Sequence, residues 1–143
     1  MSGKAFPIRG RTDVVTVSSH AGRMGRDFGF DAKRAMELAI VVSELASNIV
    51  KHGVRGEIVL TLDPDAPPQG EITVAAHDVG PPIRDLALAM IDGNDDRGPI
   101  DPALILHRGG LGTGLGAVAR LADRVEYREE AEGKTIIARF LRK

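Results

Sequence analysis

The chain contains no cysteine. This absence excludes disulfides, thiolate metal sites and a cysteine nucleophile, and it is typical of a reducing compartment, so we expect a cytoplasmic protein. The sequence also lacks an excess of charge, because 19 lysine and arginine residues nearly cancel 20 aspartate and glutamate residues. No polybasic field therefore attracts nucleic acid or an acidic membrane, and small ligands or proteins are the expected partners.

Long apolar runs are absent as well. No window approaches the roughly 20 apolar residues that a bilayer crossing needs, and residues 1–10 lack the apolar core of a signal peptide. The sequence therefore predicts a protein that is neither membrane-spanning nor secreted. Its 143 residues, 43% of them hydrophobic, can bury one core, so we expect a single domain over residues 1–143.

The N-terminal third has the apolar spacing of two helices. A short edge strand over residues 8–11 precedes a helix with Thr12 as its N-cap, and Gly29 is placed to end that helix. Asp31 is a candidate N-cap for a longer helix that runs to about His52. The first helix is predicted from apolar residues spaced three and four apart, at positions 14, 17, 21, 24 and 28.

The rest of the chain predicts mostly strands. Residues 57–62 and 71–76 are rich in β-branched side chains and enclose a turn, DPDAPPQG, which indicates an antiparallel hairpin. A helix over 114–122 and a closing hairpin of 125–127 with 135–141 follow. This order of elements predicts an α+β two-layer sandwich, with one mostly antiparallel sheet and the helices on one face.

Between these parts lies a long segment, residues 79–112, that is rich in glycine, proline and aspartate. Apolar patches interrupt it at 86–90 and 103–106. A connection of this length without firm structure is usually a functional lid or is disordered. The second patch is a candidate lid helix or partner-docking surface.

Three polar residues, Glu44, Asn48 and His52, recur at every fourth position of the second helix. At about 100° per residue they form one row beside the apolar stripe, where a pocket wall would lie. An ordinary polar border is the alternative, with Glu44 paired to a basic side chain and His52 interacting with the helix dipole. The row alone does not decide between them.

Two glycine-containing motifs follow. The segment GGLGTGLG, residues 109–116, precedes a helix and allows backbone N–H groups to approach a phosphate, although such a loop can also be merely flexible or tightly packed. Asp78 ends a strand and is followed by Gly80. The aspartate either makes an Asx-turn or accepts a hydrogen bond from the exocyclic amine of a base, with Gly80 leaving room for the ring.

In combination these motifs resemble the GHKL, or Bergerat-fold, ATP-binding superfamily. Its N, G1 and G2 boxes are similar to residues 44–48 (ELASN), 78–80 (DVG) and 110–114 (GLGTG). The phrases SELASNI, DVGPPI, GGLGTGLGAVARLAD and EGKTI resemble the bacterial anti-sigma-factor type serine/threonine kinases, and among them the stressosome switch kinases. The likeness extends over essentially the whole chain.

The resemblance implies ATP and Mg²⁺ as cofactors and assigns roles to individual residues. Asn48 would bind Mg²⁺, Glu44 would be the general base, and Lys51 would contact a phosphate. Asp78 would recognise the adenine amino group, supported by the hydroxyl of Thr135. The phosphates would be wrapped by the backbone of the G2 box, at Gly110, Gly112, Thr113 and Gly114.

The implied activity is that of a protein serine/threonine kinase in a partner-switching pathway. It would phosphorylate a STAS-domain antagonist and bind a downstream regulator such as a PP2C-type phosphatase. An anti-sigma factor kinase that holds a sigma factor is the alternative within the family. A third possibility is a binding module without catalysis, because Pro82 replaces the usual second glycine of the G1 box and fixes φ there.

Overall fold

The structure, a computed structural model, describes part of the chain in detail: residues 2–52, 55–80, 94–95, 98–99 and 115–142. Within these residues the elements follow a β-α-α-β-β order and end with a short helix and a hairpin. Their bounds are β1 Ser2–Ile8, α1 Arg11–Phe28, α2 Ala32–Lys51, β2 Gly56–Asp63, β3 Glu71–Asp78, β4 Asn94–Asp95, β5 Gly98–Pro99, α3 Gly116–Leu121, β6 Arg124–Glu130 and β7 Gly133–Leu141.

The main sheet has five strands in the order β1-β2-β3-β7-β6, and every neighbouring pair is antiparallel. The two-residue strands β4 and β5 pair separately. The α+β fold predicted from the sequence is thus confirmed. Because β7 inserts beside β3, the register places Asp78 opposite Lys134, two residues that are far apart in the sequence.

The core lies between the sheet and the two long helices. Alternate residues of β3 are buried, as expected for a strand with one face against helices. The buried stripe of α2 faces this sheet surface, which explains why the helix is apolar on one side. The largest fully buried side chains of the two layers are Phe140, Leu38, Leu45, Ile49, Ile58, Leu60 and Ile72.

Of three predicted boundary residues of helices α1 and α2, two are confirmed and one is wrong. Gly29 ends α1 in the left-handed conformation, with φ 105°, as expected. The Asp31 side chain accepts a hydrogen bond from Arg34 N at 2.7 Å, so it is the N-cap of α2. Thr12 is not the N-cap of α1, because Gly10 occupies that position and the helix begins at Arg11.

The predicted edge strand at residues 8–11 was wrong, because the observed strand β1 lies earlier and ends at Ile8. The side chain of Asp13 accepts a hydrogen bond from Arg9 N at 2.8 Å, which turns the chain into α1 directly after the strand. Pro7 is tolerated within β1 because this strand is at the edge of the sheet.

No helix within the described ranges is both long enough and apolar enough to cross a membrane.

The outer face of the sheet carries ion pairs. Arg139 donates to Glu126 at 2.8 Å and to Glu71 at 3.1 Å. The hydrogen bond from Arg139 lowers the pKa of Glu126, and the same bond raises the pKa of Arg139. Such half-exposed pairs contribute little to stability individually.

His20 of α1 gives the fold an expected pH dependence. Its ring lies 5.0 Å from the Phe6 ring, and burial, followed by repulsion from Lys4 and Arg23, lowers the pKa of His20 below its usual value. As pH falls, the unfolded chain therefore takes up the proton before the folded protein does. The contribution of neutral His20 to the free energy of unfolding is fully present above about pH 6.5, and it is lost as pH falls to the pKa of His20 in the folded protein.

We therefore expect the free energy of unfolding to fall between pH 7 and pH 5 by less in His20→Gln than in the wild-type protein. Urea denaturation at both pH values measures this difference. Lys4→Gln, which removes one neighbouring positive charge, should give an intermediate loss. An equal loss in His20→Gln and wild type would show that His20 does not carry the effect.

Candidate functional site

The carboxylate of Asp78 lies at the end of β3, on the face of the sheet that the helices cover. Its Oδ1 accepts hydrogen bonds from Gly80 N and from Lys134 Nζ, both at 2.8 Å. The two charged residues are almost fully buried, Asp78 with 6% and Lys134 with 5% of its surface exposed. Two charges so far from water are tolerated only because they are paired at close range.

Two glycines allow the neighbouring elements to approach Asp78 closely. A Cβ atom on Gly133 would lie 1.9 Å from the carbonyl oxygen of Asp78, and Gly133 has φ 110°. A Cβ on Gly56 would lie 3.0 Å from the Asp78 Cβ and 2.8 Å from a methyl of Ile49. The β6–β7 turn therefore packs against the end of β3, and the start of β2 lies close to both that strand end and Ile49 of α2.

The predicted polar row of α2 runs from the core towards solvent. Glu44 is buried, with 4% of its surface exposed, Asn48 is half-buried, and Lys51 and His52 are exposed. A Cβ on Gly56 would meet both Ile49 and Asp78 within 3.0 Å, so the last turns of α2, which carry Asn48, lie near the end of β3. A buried carboxylate such as Glu44 is rare unless it has a partner or a function.

Helix α3 continues from the glycine-rich segment and packs against α2. Leu115, at its N-terminal end, is buried in the core, so the end of the glycine segment lies beside the helix of Glu44. Arg34 of α2 fixes the other end of α3, because its guanidinium donates to Leu121 O at 2.7 Å and forms an ion pair with Asp123.

Several predicted site residues lie outside the described residues. They are the glycine-loop residues Gly110, Gly112, Thr113 and Gly114, together with Pro82 and the apolar patches at 86–90 and 103–106.

Thr135 is not brought together with Asp78. Its side chain lies on the opposite face of the sheet, where Oγ1 is 3.0 Å from His77 Nδ1 and donates to the carboxylate of Glu130. The geometry therefore gives no support to a shared role of Thr135 and Asp78. Lys134 takes the place beside Asp78 instead. Its inward position could have been read from the alternation of β7, since it shares a face with Ile136, Ala138 and Phe140.

The side chains at this site offer few ligands for Mg²⁺. Among the described residues no group of three or more histidine and carboxylate side chains is placed to hold a metal. The carbonyl oxygen of the Asn48 amide is a hard donor of the kind that Mg²⁺ prefers. The site therefore fits an Mg²⁺ ion that takes most of its ligands from phosphates and water and one, the Asn48 amide oxygen, from the residues described.

Comparison with known proteins adds two findings. The model of the family described as the histidine kinase-like ATPase domain matches residues 9–140. The serine/threonine-protein kinase RsbT of Bacillus subtilis (strain 168) is 30% identical over 127 residues, which cover 88% of this chain and 86% of RsbT. Both findings confirm the resemblance inferred from the motifs, and an ATPase domain implies that the chain binds ATP. The chain belongs to the histidine kinase-like ATPase domain family.

Proposed function

We propose that this chain is a protein serine/threonine kinase that uses ATP and Mg²⁺ and acts in a bacterial partner-switching pathway. Its substrate would be a STAS-domain antagonist, and its further partner a regulator such as a PP2C-type phosphatase. The observation that carries the proposal is the buried Asp78 at the end of β3, close to Ile49 on the helix that also carries Glu44 and Asn48. The similarity to a serine/threonine kinase supports the same activity.

In this proposal each residue has one task. Asp78 accepts a hydrogen bond from the adenine amino group, and Gly80 leaves room for the ring. Asn48 would hold Mg²⁺, which would supply positive charge beside the phosphates. Glu44 accepts the proton of the attacking serine or threonine hydroxyl. Phosphoryl transfer depends mainly on positioning and charge neutralisation, so this small set of groups suffices.

The remaining contacts to the nucleotide would come from the phosphate side. The backbone of residues 110–114 would wrap the phosphates, and Lys51, exposed at the end of α2, would add a positive charge. The protein partner would approach from the same side, because the acceptor hydroxyl must reach the terminal phosphate within a few ångströms.

A binding module without catalysis is the second candidate, and one observation favours it. Lys134 already occupies Oδ1 of Asp78 as an ion pair, which reduces the acceptor capacity left for a base. In this case the domain would keep its docking surfaces and lose nucleotide affinity. An anti-sigma factor kinase would share the chemistry of the first candidate and differ in its partner.

Calorimetric titration with ATP and Mg²⁺ tests these alternatives. We expect wild-type protein to bind ATP and Asp78→Asn to bind at least about tenfold more weakly, because a charged acceptor is lost. Asp63→Asn, at the turn end of β2, is the matched control and should bind like the wild type. A thermal melt of each variant separates lost binding from lost folding.

Absence of ATP binding in the wild-type protein would contradict the kinase proposal and leave the binding module. Where ATP binds, transfer of labelled phosphate from ATP to a purified STAS-domain protein measures the activity. Co-purification then distinguishes the pathways: a STAS-domain protein or phosphatase supports the switch kinase, and a sigma factor supports the anti-sigma factor.

A further inference from the structure

We propose that Lys134 is a second base-recognising residue, which donates a hydrogen bond to N1 of adenine while Asp78 accepts one from the 6-amino group. This inference rests on the ATP site proposed above and names what reads the base within it. Neither the motifs nor the resemblance assigns a role to Lys134. The position of its side chain in the structure indicates one.

The burial of Lys134 requires an explanation. Its Nζ lies 2.8 Å from Oδ1 of Asp78, and the two residues are opposite each other in the β3–β7 ladder. The inward positions that follow on β7 are Ile136, Ala138 and Phe140, all apolar. A buried ion pair can often be replaced by apolar side chains without loss of stability, so stability alone does not account for a lysine here.

The pair matches the hydrogen-bonding edge of adenine. That edge presents a donor, the 6-amino group, beside an acceptor, N1. The pair presents an acceptor, the carboxylate, beside a donor, the ammonium group. Both hydrogen bonds that described residues donate to Asp78 end on Oδ1, so Oδ2 would be the oxygen that accepts from the 6-amino group. An ammonium group has three N–H donors, so one group can bind a carboxylate and donate to a base at the same time.

Guanine in the same orientation would be rejected at both atoms. Its O6 would face the carboxylate, so two acceptors would meet, and its N1–H would face the ammonium group, so two donors would meet. A buried site that leaves polar groups unpaired discriminates strongly between ligands. We therefore expect a preference for ATP over GTP of at least about 100-fold, to which both members of the pair contribute.

The test compares ATP with 1-deaza-ATP, in which a C–H group replaces N1, by calorimetry of the full chain with Mg²⁺. Wild-type protein should bind the analogue about 10- to 100-fold more weakly, the usual effect of losing a hydrogen bond to a charged group. Lys134→Met should bind ATP as weakly as the wild type binds the analogue, and it should no longer distinguish the two. Lys33→Met, an exposed lysine at the start of α2, is the matched control.

Because Lys134→Met leaves Asp78 without its cation, Lys134→Gln is a second variant that keeps a donor at this position. It should fold and should still prefer ATP to 1-deaza-ATP, with a smaller ratio. Equal affinity of the wild type for ATP and its analogue would overturn the role of Lys134 and leave the kinase proposal intact. An undiminished preference of Lys134→Met for ATP over 1-deaza-ATP would also overturn the role of Lys134 alone. Absence of ATP binding in the wild type would overturn both proposals.

Discussion

Replacing Glu44 by glutamine should lower the rate of phosphate transfer from ATP to a STAS-domain protein by about 10²- to 10⁴-fold, the range usual for a lost general base. The amide has the same shape as the carboxylate but cannot take up the proton of the attacking hydroxyl. ATP affinity should stay nearly unchanged, since Glu44 has no role in holding the nucleotide in the proposed site. Single-turnover transfer of labelled phosphate, with binding measured separately by calorimetry, checks both parts.

Glu37→Gln is the matched control for this experiment. Glu37 lies on the same helix but forms an ion pair with Arg34 on the partly exposed surface, at 3.6 Å. Its replacement should leave the transfer rate within about twofold, because single surface ion pairs contribute little. A normal transfer rate in Glu44→Gln would show that another group, or the substrate itself, takes up the proton.

Gly133→Ala should destabilise the folded protein by about 4 kcal/mol or more, a size reserved for a few mechanisms such as backbone strain and broken buried pairs. The added Cβ would lie 1.9 Å from the carbonyl oxygen of Asp78 and 2.7 Å from Cα of Val79, so backbone must move. The φ of 110° is also unfavourable for any residue with a Cβ. Relief of the clash would pull Asp78 away from Lys134 and leave buried charges unpaired.

Gly22→Ala provides the control in the opposite direction. Gly22 lies within α1, where a Cβ would meet its neighbours at 3.6 Å or more, an ordinary contact distance. Alanine favours a helix by up to about 1 kcal/mol over glycine, so this variant should be as stable as the wild type or slightly more stable. Urea denaturation of both variants makes the comparison. A loss below about 1 kcal/mol in Gly133→Ala would contradict the close approach at Asp78.

Local signals were sufficient to predict much of this fold from the sequence. Asp31 and Gly29 mark helix boundaries through the side chain of the first and the positive φ of the second, both properties of single residues. The turn between β2 and β3 was predicted for the same reason. The start of α1 was missed because its cap, Gly10, makes no side-chain hydrogen bond, and because the strand before it is an edge strand with weak alternation.

The site was harder to predict because its residues meet through pairing of two strands that are far apart in the sequence. Asp78 and Lys134 become neighbours only through the register of β3 with β7, which no local pattern fixes. Thr135 was chosen by motif, although the period of two along a strand puts adjacent residues on opposite faces. The alternation of β7 indicates that Lys134 faces the core, because it is the one charged residue in a row of apolar inward positions.

The insertion of β7 between β3 and β6 also has a consequence for synthesis of the chain. Along its whole length, from Glu71 to Asp78, β3 pairs on one side with residues 134–141. During translation, β1, β2 and the two long helices emerge first, while that side of β3 stays without its partner. Open strand edges of this kind bind other chains readily, so the nascent chain has an edge exposed to aggregation until β7 emerges from the ribosome.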